Sequence, residues 1–151
     1  MRGQKEIVEF VILSAASLAL LVAISYIFSY VSATMMDSQL RNGAGILSEE
    51  VAATITMVYE TVGGGQTFNG TEQPVLRVTL DLPQTLGGRE YTIFFSNNTV
   101  MAIVAGFRAD TPVPAAEGSD ITTSGTIFSS SSQQAAVSYY SDQNLIKLEM
   151  V

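Results

Sequence analysis

The segment FVILSAASLALLVAISYIFSYVSATMM, residues Phe10–Met36, decides how this chain folds. Its 27 residues carry no charge and include neither Pro nor Gly, and Glu9 and Asp37 bound it on either side. About 20 apolar residues in a helix cross the hydrocarbon core of a bilayer, so this run is long enough to span one. Nothing in it interrupts the helical repeat.

Small side chains recur on this predicted helix at intervals of four residues. Ala15, Ala19 and Ala23 form one such series. Small residues at this spacing let two helix backbones approach each other closely. We therefore expect the helix to lie in lipid and also to pack against copies of itself.

Positive charge flanks the apolar run on its N-terminal side, where Arg2 and Lys5 precede it, and the next cation is Arg41. Positive flanks stay in the cytoplasm, so the pattern predicts an N-terminus inside and the rest of the chain outside. A secretory signal peptide is the alternative interpretation. Such a peptide would end its apolar region at a small-residue cleavage site, whereas this run is longer and continues into more helix.

Beyond Asp37 the apolar positions follow helical spacings of three and four residues, which predicts an amphipathic continuation of the same helix. The members of this apolar stripe are Met36, Leu40, Ala44, Leu47, Val51, Ile55, Val58 and Val62. We expect one helix over residues 1–62, about 90 Å long, followed by a glycine hinge at residues 63–65. A small domain could cover only the end of the stripe near Val62, so we expect Leu40, Leu47, Val51, Ile55 and Val58 to pack in a core formed by other chains.

Residues 66–151 alternate between apolar and polar positions in short runs separated by turn residues, which predicts six or seven β-strands. The runs begin near Val75, Tyr91, Thr99, Thr122, Ala135 and Leu145. We expect a hairpin around Ser96-Asn97-Asn98 and a loop over residues 111–120. The predicted fold class is α+β: one long N-terminal hydrophobic helix followed by a small antiparallel β-sandwich or barrel that folds by itself.

The composition excludes several classes of function. The net charge of −7 argues against a nucleic-acid partner, because phosphate neutralisation needs Lys and Arg. The chain has no Cys and no His, which removes thiol nucleophiles, imidazole bases and common metal ligands. It also lacks nucleotide-binding and hydrolase motifs. We expect no enzymatic activity, no cofactor and no metal.

Two Asn-x-Thr sequences are candidate glycosylation sites. They begin at Asn69 and Asn97 and fall in predicted turns on the side of the membrane that the charge pattern places outside. A glycan at either site would lie on the surface of the β-rich region.

The N-terminal 62 residues resemble an archaeal type IV pilin or an archaellin-like filament subunit with a class III signal peptide. The resemblance rests on Arg2-Gly3-Gln4, on Glu9 and on the long apolar helix with its amphipathic continuation. It implies that a prepilin peptidase cuts between Gly3 and Gln4. It also implies that an acidic residue near the new terminus, Glu9 or Glu6, assists assembly.

This resemblance further implies that subunits wait in the cytoplasmic membrane until the pilus machinery assembles them into a helical filament. The helices would bundle in the core, and the β-domains would face outward for adhesion. An archaellin of a motility filament is one alternative. A singly anchored, stator-like protein whose β-domain binds the surface layer is another, although a monomer of that kind would have to cover the apolar stripe.

Overall fold

The computed structural model describes residues 2–63, 73–131 and 133–151. A single helix, α1, covers Arg2–Gly63 and confirms the long N-terminal helix. The chain divides into two compact units, Met1–Ser38 (the apolar unit) and Gln39–Val151 (the globular unit), and α1 contributes to both. The division between the two units falls after Ser38, within α1. Residues 64 and 65 of the predicted hinge lie outside the described residues.

The globular unit contains a seven-stranded open sheet. Its strands are β1 (Leu76–Leu80), β2 (Tyr91–Ser96), β3 (Thr99–Val104), β4 (Phe107–Pro112), β5 (Thr122–Phe128), β6 (Ala135–Tyr140) and β7 (Leu145–Met150). The order across the sheet is β1-β6-β7-β5-β2-β3-β4, and β5 and β7 are parallel whereas the other paired strands are antiparallel. The α+β class is confirmed, but the expected sandwich or barrel is corrected to one open, mostly antiparallel sheet.

Two tight turns connect β2, β3 and β4. Asn97 and Asn98 have φ values of 51° and 59° between β2 and β3, as a type I′ turn requires, and the predicted hairpin is confirmed. Ala105 and Gly106, with φ values of 48° and 86°, make the next turn. The chain therefore reverses inside the predicted strand that begins near Thr99, and β4 occupies the start of the loop that was predicted over residues 111–120.

Strand β5 changes partner along its length. Its first half, Thr122–Gly125, pairs with β7, and its second half pairs with β2. Gly125 stands at this change with a φ of 114°, and a Cβ there would lie 2.0 Å from the backbone oxygen of Leu148. Only glycine allows β7 to approach β5 so closely.

The C-terminal part of α1 packs on one face of the sheet, here called the inner face. The inner face carries the alternate strand residues Ile93, Val100, Ala102, Val104, Ile127, Val137, Ile146 and Leu148, which form one core cluster with the helix. Polar side chains join the two layers as well. Ser48 of α1 shares a 2.7 Å hydrogen bond with Thr111 of β4, and the Tyr59 hydroxyl donates to the Ile121 carbonyl at 3.0 Å.

The apolar stripe of the helix is buried against this inner face. Leu40, Leu47, Val51, Ile55 and Val58 are each no more than 3% exposed and belong to the core of the globular unit. The expectation that other chains must cover these five side chains is wrong. The spacing identified the buried side of the helix correctly, but the sheet of the same chain is wide enough to cover the middle of the stripe.

Gly43, in the middle of α1, has a packing reason. A Cβ at Gly43 would lie 2.6 Å from the Leu86 side chain, so Leu86 occupies the space that any larger residue would fill. Gly45 has no neighbour within 4 Å of the equivalent position. Of these two positions, only Gly43 is in close contact with another element, through the Leu86 side chain in the loop before β2.

Candidate functional site

The apolar unit exposes its large hydrophobic side chains. Phe10 and Phe28 are both 73% exposed, and Leu13, Leu18 and Leu21 are exposed to a similar degree. The helix Gln4–Gly63 is long and apolar enough to cross a membrane, and its most apolar window has no buried residue. Such a continuous apolar surface needs lipid or protein around it.

The small-residue series lies on this exposed segment. Ala15, Ala19 and Ala23 are all exposed in the single chain. Their side chains leave space along one side of the helix, which is the property that helix–helix packing in lipid requires. Their assignment to a helix bundle stays a prediction.

The N-terminal end of α1 carries the residues that the resemblance assigns to processing and assembly. Gly3 and Gln4 lie within the helix, and Glu6 and Glu9 are both exposed. The Lys5 ammonium lies 3.8 Å from a carboxylate oxygen of Glu9, one turn away on the same helix. Because both side chains are well exposed, this ion pair contributes little to helix stability. Glu9 can therefore exchange Lys5 for another cation at low cost.

The helix also exposes a row of apolar residues in the globular unit, on the side away from the sheet. Ile46, Ala53 and Met57 form this exposed helix row, with spacings of seven and four residues, and Ile46 and Met57 are 64% and 49% exposed. Carboxylates lie on both sides of the row at Glu49, Glu50 and Glu60, all exposed. The row is thus a narrow apolar strip within an acidic surface.

The outer face of the sheet carries a second apolar surface. Phe94, Met101, Ile103 and Phe128 lie on this face and form the outer patch, which does not belong to the core cluster. The strand register places them side by side, since Phe94 faces Met101, and Thr92 lies between Ile103 and Phe128. Phe128 is 52% exposed and Ile103 is 36% exposed.

The outer patch was not predicted from the sequence, although the sequence contains a signal for it. The runs IFF at residues 93–95 and VMAIV at residues 100–104 are almost continuously apolar. Half-buried strands alternate, whereas continuous apolar runs are typical of strands that are covered on both faces. The outer face of β2 and β3 is therefore more apolar than the solvent-facing side of an ordinary half-buried strand.

The rest of the outer face, over β1, β6 and β7, is polar. Arg77 donates to Ser138 and to Glu149 at 3.2 Å each, and the Tyr140 hydroxyl donates to the Glu149 carboxylate at 3.1 Å. Burial raises the pKa of Glu149, but hydrogen bonds and the charges of Lys147 and Arg77 outweigh it and hold that pKa below its usual value. The outer face over β1, β6 and β7 is therefore occupied by polar side chains that bond to one another, and not by apolar contacts.

A small cleft of about 210 Å³ lies at one end of the sheet, between the end of β1, the end of β5 and the start of β6. Its walls include Tyr91, Ser129 and Gln134. The Tyr91 hydroxyl donates to the Pro83 carbonyl, and the Ser129 hydroxyl accepts from the Tyr91 amide at 2.8 Å. The Tyr91 and Ser129 side chains in the wall of the cleft are thus already engaged in hydrogen bonds within the chain.

Of the two candidate glycosylation sites, Asn97 lies exposed in the β2–β3 turn. A glycan could be attached there without disturbing the core. Asn69 lies outside the described residues. Glycan occupancy stays a prediction at both sites.

Comparisons of the chain with protein-family models, with curated proteins and with solved structures give no match.

Proposed function

We propose that this protein is the structural subunit of an extracellular helical filament, in which the apolar units bundle in the core and the globular units face outward. The observation that carries the proposal is the fully exposed apolar helix of the first unit. No described part of the chain covers it. Lipid would cover it before assembly and neighbouring helices afterwards.

The length and composition of the apolar run support both of these environments. Residues Phe10–Met36 extend about 40 Å as a helix, which exceeds the roughly 30 Å hydrocarbon thickness of a bilayer. The series Ala15, Ala19 and Ala23 allows close helix contacts that a solitary anchor does not need. A membrane precursor that later becomes part of a helix bundle needs both properties in one segment.

The charge distribution supports the orientation of the precursor. Lys5 precedes the apolar run, and Asp37 follows it. With the N-terminus in the cytoplasm, the globular unit lies outside the cell. There it would fold on the core-facing part of α1 before assembly, so that folded units are added to the filament.

One observation favours a second candidate, a singly anchored membrane protein whose globular unit binds the surface layer. Because the globular unit buries Leu47, Val51 and Ile55 itself, a monomer leaves no apolar stripe uncovered. The objection that the sequence raised against a monomeric anchor therefore disappears. What then favours the filament is the small-residue series together with the resemblance.

Electron microscopy of sheared cell surfaces, combined with one pair of variants, separates the two candidates. Ala19→Leu adds bulk to the small-residue series, and Ser14→Leu adds a similar side chain about 140° around the helix. Both changes keep the segment apolar, so membrane insertion should persist. A filament subunit should lose filaments with Ala19→Leu and keep them with Ser14→Leu.

A monomeric anchor predicts a different pattern. Neither variant would alter its function, and the wild-type protein would stay in the membrane fraction without forming filaments. That result would overturn the proposed filament and leave the anchor in its place.

A further inference from the structure

We propose that the small cleft at one end of the sheet, here called the sheet-end cleft, binds a neutral saccharide. Its lining includes Asp81, Gln84, Phe128 and Gln134. This site goes beyond the proposed function, because it lies in the globular unit and requires neither a filament nor the apolar helix. A filament would present many copies of the site, whereas a monomeric anchor would present one.

The sheet-end cleft has free polar side chains as well as engaged ones. Tyr91 and Ser129 bond within the chain, but the side chains of Asp81, Gln84 and Gln134 form no hydrogen bond with any described residue. A side-chain amide both donates and accepts, and a carboxylate accepts. These groups match sugar hydroxyls, each of which also donates and accepts. The cleft therefore offers partners for several hydroxyl groups of one ligand.

An exposed aromatic side chain lines the same cleft. Phe128 is 52% exposed, although it is among the largest apolar residues of the sheet. A pyranose ring has C–H groups on its faces and hydroxyl groups around its edge. Such a ligand needs a flat apolar surface and hydrogen-bonding groups side by side. Phe128 supplies the first, and the amides and the carboxylate of the lining supply the second.

The charge of the lining argues against anionic ligands. Asp81 is the one charged side chain among the described residues that line the cleft. A phosphate, sulfate or carboxylate group would meet this negative charge without a cation to offset it. A metal ion is disfavoured as well, because the described residues contain no group of three acidic side chains that could hold one. A neutral polar ligand fits this lining best.

The volume indicates a chain of small rings. Pockets for drug-sized ligands measure roughly 300–1,000 Å³, so a cleft of about 210 Å³ holds one small ring. A second cleft of about 310 Å³ adjoins it, and the two share Gln84, Ser129 and Ser131. The second cleft adds the hydroxyl of Thr85 and the carboxylate of Glu90. Two adjoining subsites with the same chemistry fit an oligosaccharide better than a compact ligand.

Internal hydrogen bonds hold the frame of the sheet-end cleft. The Tyr91 hydroxyl donates to the Pro83 carbonyl, directly before Gln84. The backbones of Gln134 and Val151 exchange two hydrogen bonds of 2.9 and 2.8 Å. The segments that carry the polar lining are thus fixed without a ligand, which lowers the ordering cost of binding.

A panel of oligosaccharides tests the site in the full chain. The chain is held in phosphatidylcholine nanodiscs, because detergents with sugar headgroups would compete. Saturation-transfer NMR is recorded with neutral trisaccharides of glucose, mannose, galactose and N-acetylglucosamine, and with trigalacturonate, which adds a carboxylate to each galactose ring. We expect at least one neutral trisaccharide to bind, with a dissociation constant on the order of 1 mM. Absence of binding by every neutral sugar, or tighter binding of trigalacturonate, would overturn the inference.

Two pairs of variants locate the binding. Asp81→Asn removes one negative charge from the cleft, and Glu117→Gln removes one from an exposed loop outside it. Phe128→Ala removes the aromatic surface, and Ile103→Ala removes apolar surface from the same sheet face outside the cleft. We expect Asp81→Asn and Phe128→Ala each to weaken binding about tenfold, and the controls to bind as the wild type does.

The melting temperature checks that each of these variants folds. Unchanged binding by both cleft variants would overturn the inference, and so would an equal loss in the cleft variants and their controls. Filament formation is not the measurement, so failure of this site would leave the proposed function standing.

Two sources could supply such a sugar: a glycan on another copy of the chain, as at Asn97, or a polysaccharide outside the chain. Asn97→Gln distinguishes them in nanodiscs that carry the glycosylated chain. A glycan ligand predicts that this variant loses self-association, whereas an outside polysaccharide predicts no change. Binding of the free trisaccharide should persist in both cases, and its loss would contradict a site at this end of the sheet.

Discussion

The core-facing part of α1 should be indispensable for folding of the globular unit. A fragment of residues 66–151 retains the strands but loses the helical segment that covers the inner face. A fragment of residues 39–151 retains both layers. We expect the longer fragment to fold cooperatively and the shorter one to stay unfolded or to aggregate.

The expected loss of stability in the shorter fragment follows from the apolar side chains that this part of the helix buries. Seven apolar side chains larger than alanine on this segment are at most 9% exposed: Leu40, Leu47, Val51, Ile55, Val58, Tyr59 and Val62. At about 1.5–3 kcal/mol for each buried side chain, their removal costs roughly 10–20 kcal/mol. A whole domain of this size has a stability of about 5–15 kcal/mol. The loss therefore matches or exceeds the entire stability of the unit, before the newly exposed inner face of the sheet is considered.

Circular dichroism and urea unfolding of the two fragments provide the assay. The longer fragment should show one cooperative transition, and the shorter one should show none. Adding a synthetic peptide of residues 39–63 to the shorter fragment should restore β-structure, because the missing layer is then supplied in trans. A cooperative transition in the 66–151 fragment alone would refute the conclusion that the helix completes this core.

Three further predictions concern single residues. Ile55→Ala should destabilise the 39–151 unit by about 2–5 kcal/mol in urea unfolding, whereas Met57→Ala, on the exposed side of the same helix, should change it by less than about 0.5 kcal/mol. Gly125→Ala should cost about 4 kcal/mol or more, seen as a large drop in melting temperature, because its Cβ would meet the Leu148 backbone. The folded state holds the pKa of Glu149 below its value in the unfolded chain. The ionised carboxylate therefore stabilises the fold at pH values above the unfolded pKa, and this contribution is lost as the pH falls through the folded pKa. Glu149→Gln should accordingly flatten the acid limb of a stability–pH profile measured by thermal melting.

The sequence predicted local structure well because local structure depends on spacing and turn chemistry. The apolar stripe of α1 was read from its helical period, and the Asn97-Asn98 hairpin from its turn residues. The turn at Ala105 was missed, because alanine seldom adopts a positive φ and only Gly106 marked the position. A two-residue turn in which only one residue is a typical turn former leaves a weak pattern in the sequence.

What covers each apolar surface could not be predicted in the same way. The helical spacing of apolar residues indicates which side of a helix is buried, but it does not indicate whether the same chain or a neighbouring chain covers that side. The stripe containing Val51 is covered by a sheet whose width depends on the parallel pairing of β5 with β7, and that pairing joins strands that are not consecutive. Such non-local contacts have no local signature. The outer patch around Phe128 was not predicted for a related reason. Strands that are apolar on both faces were interpreted as half-buried strands with one polar face.

The place of β7 in the sheet has a consequence for how the protein is made. β7 is the seventh strand in the chain, yet it lies in the interior of the sheet, between β6 and β5. The other six described strands precede β7 in the chain, and none of them joins the β1–β6 pair to the β5–β2–β3–β4 group in place of Leu145–Met150. Folding must therefore include the parallel pairing of β7 with β5, which are not consecutive strands, and pairings of this non-local kind slow folding. A chain truncated before residue 145 should therefore leave the remaining strands in two groups that no strand joins.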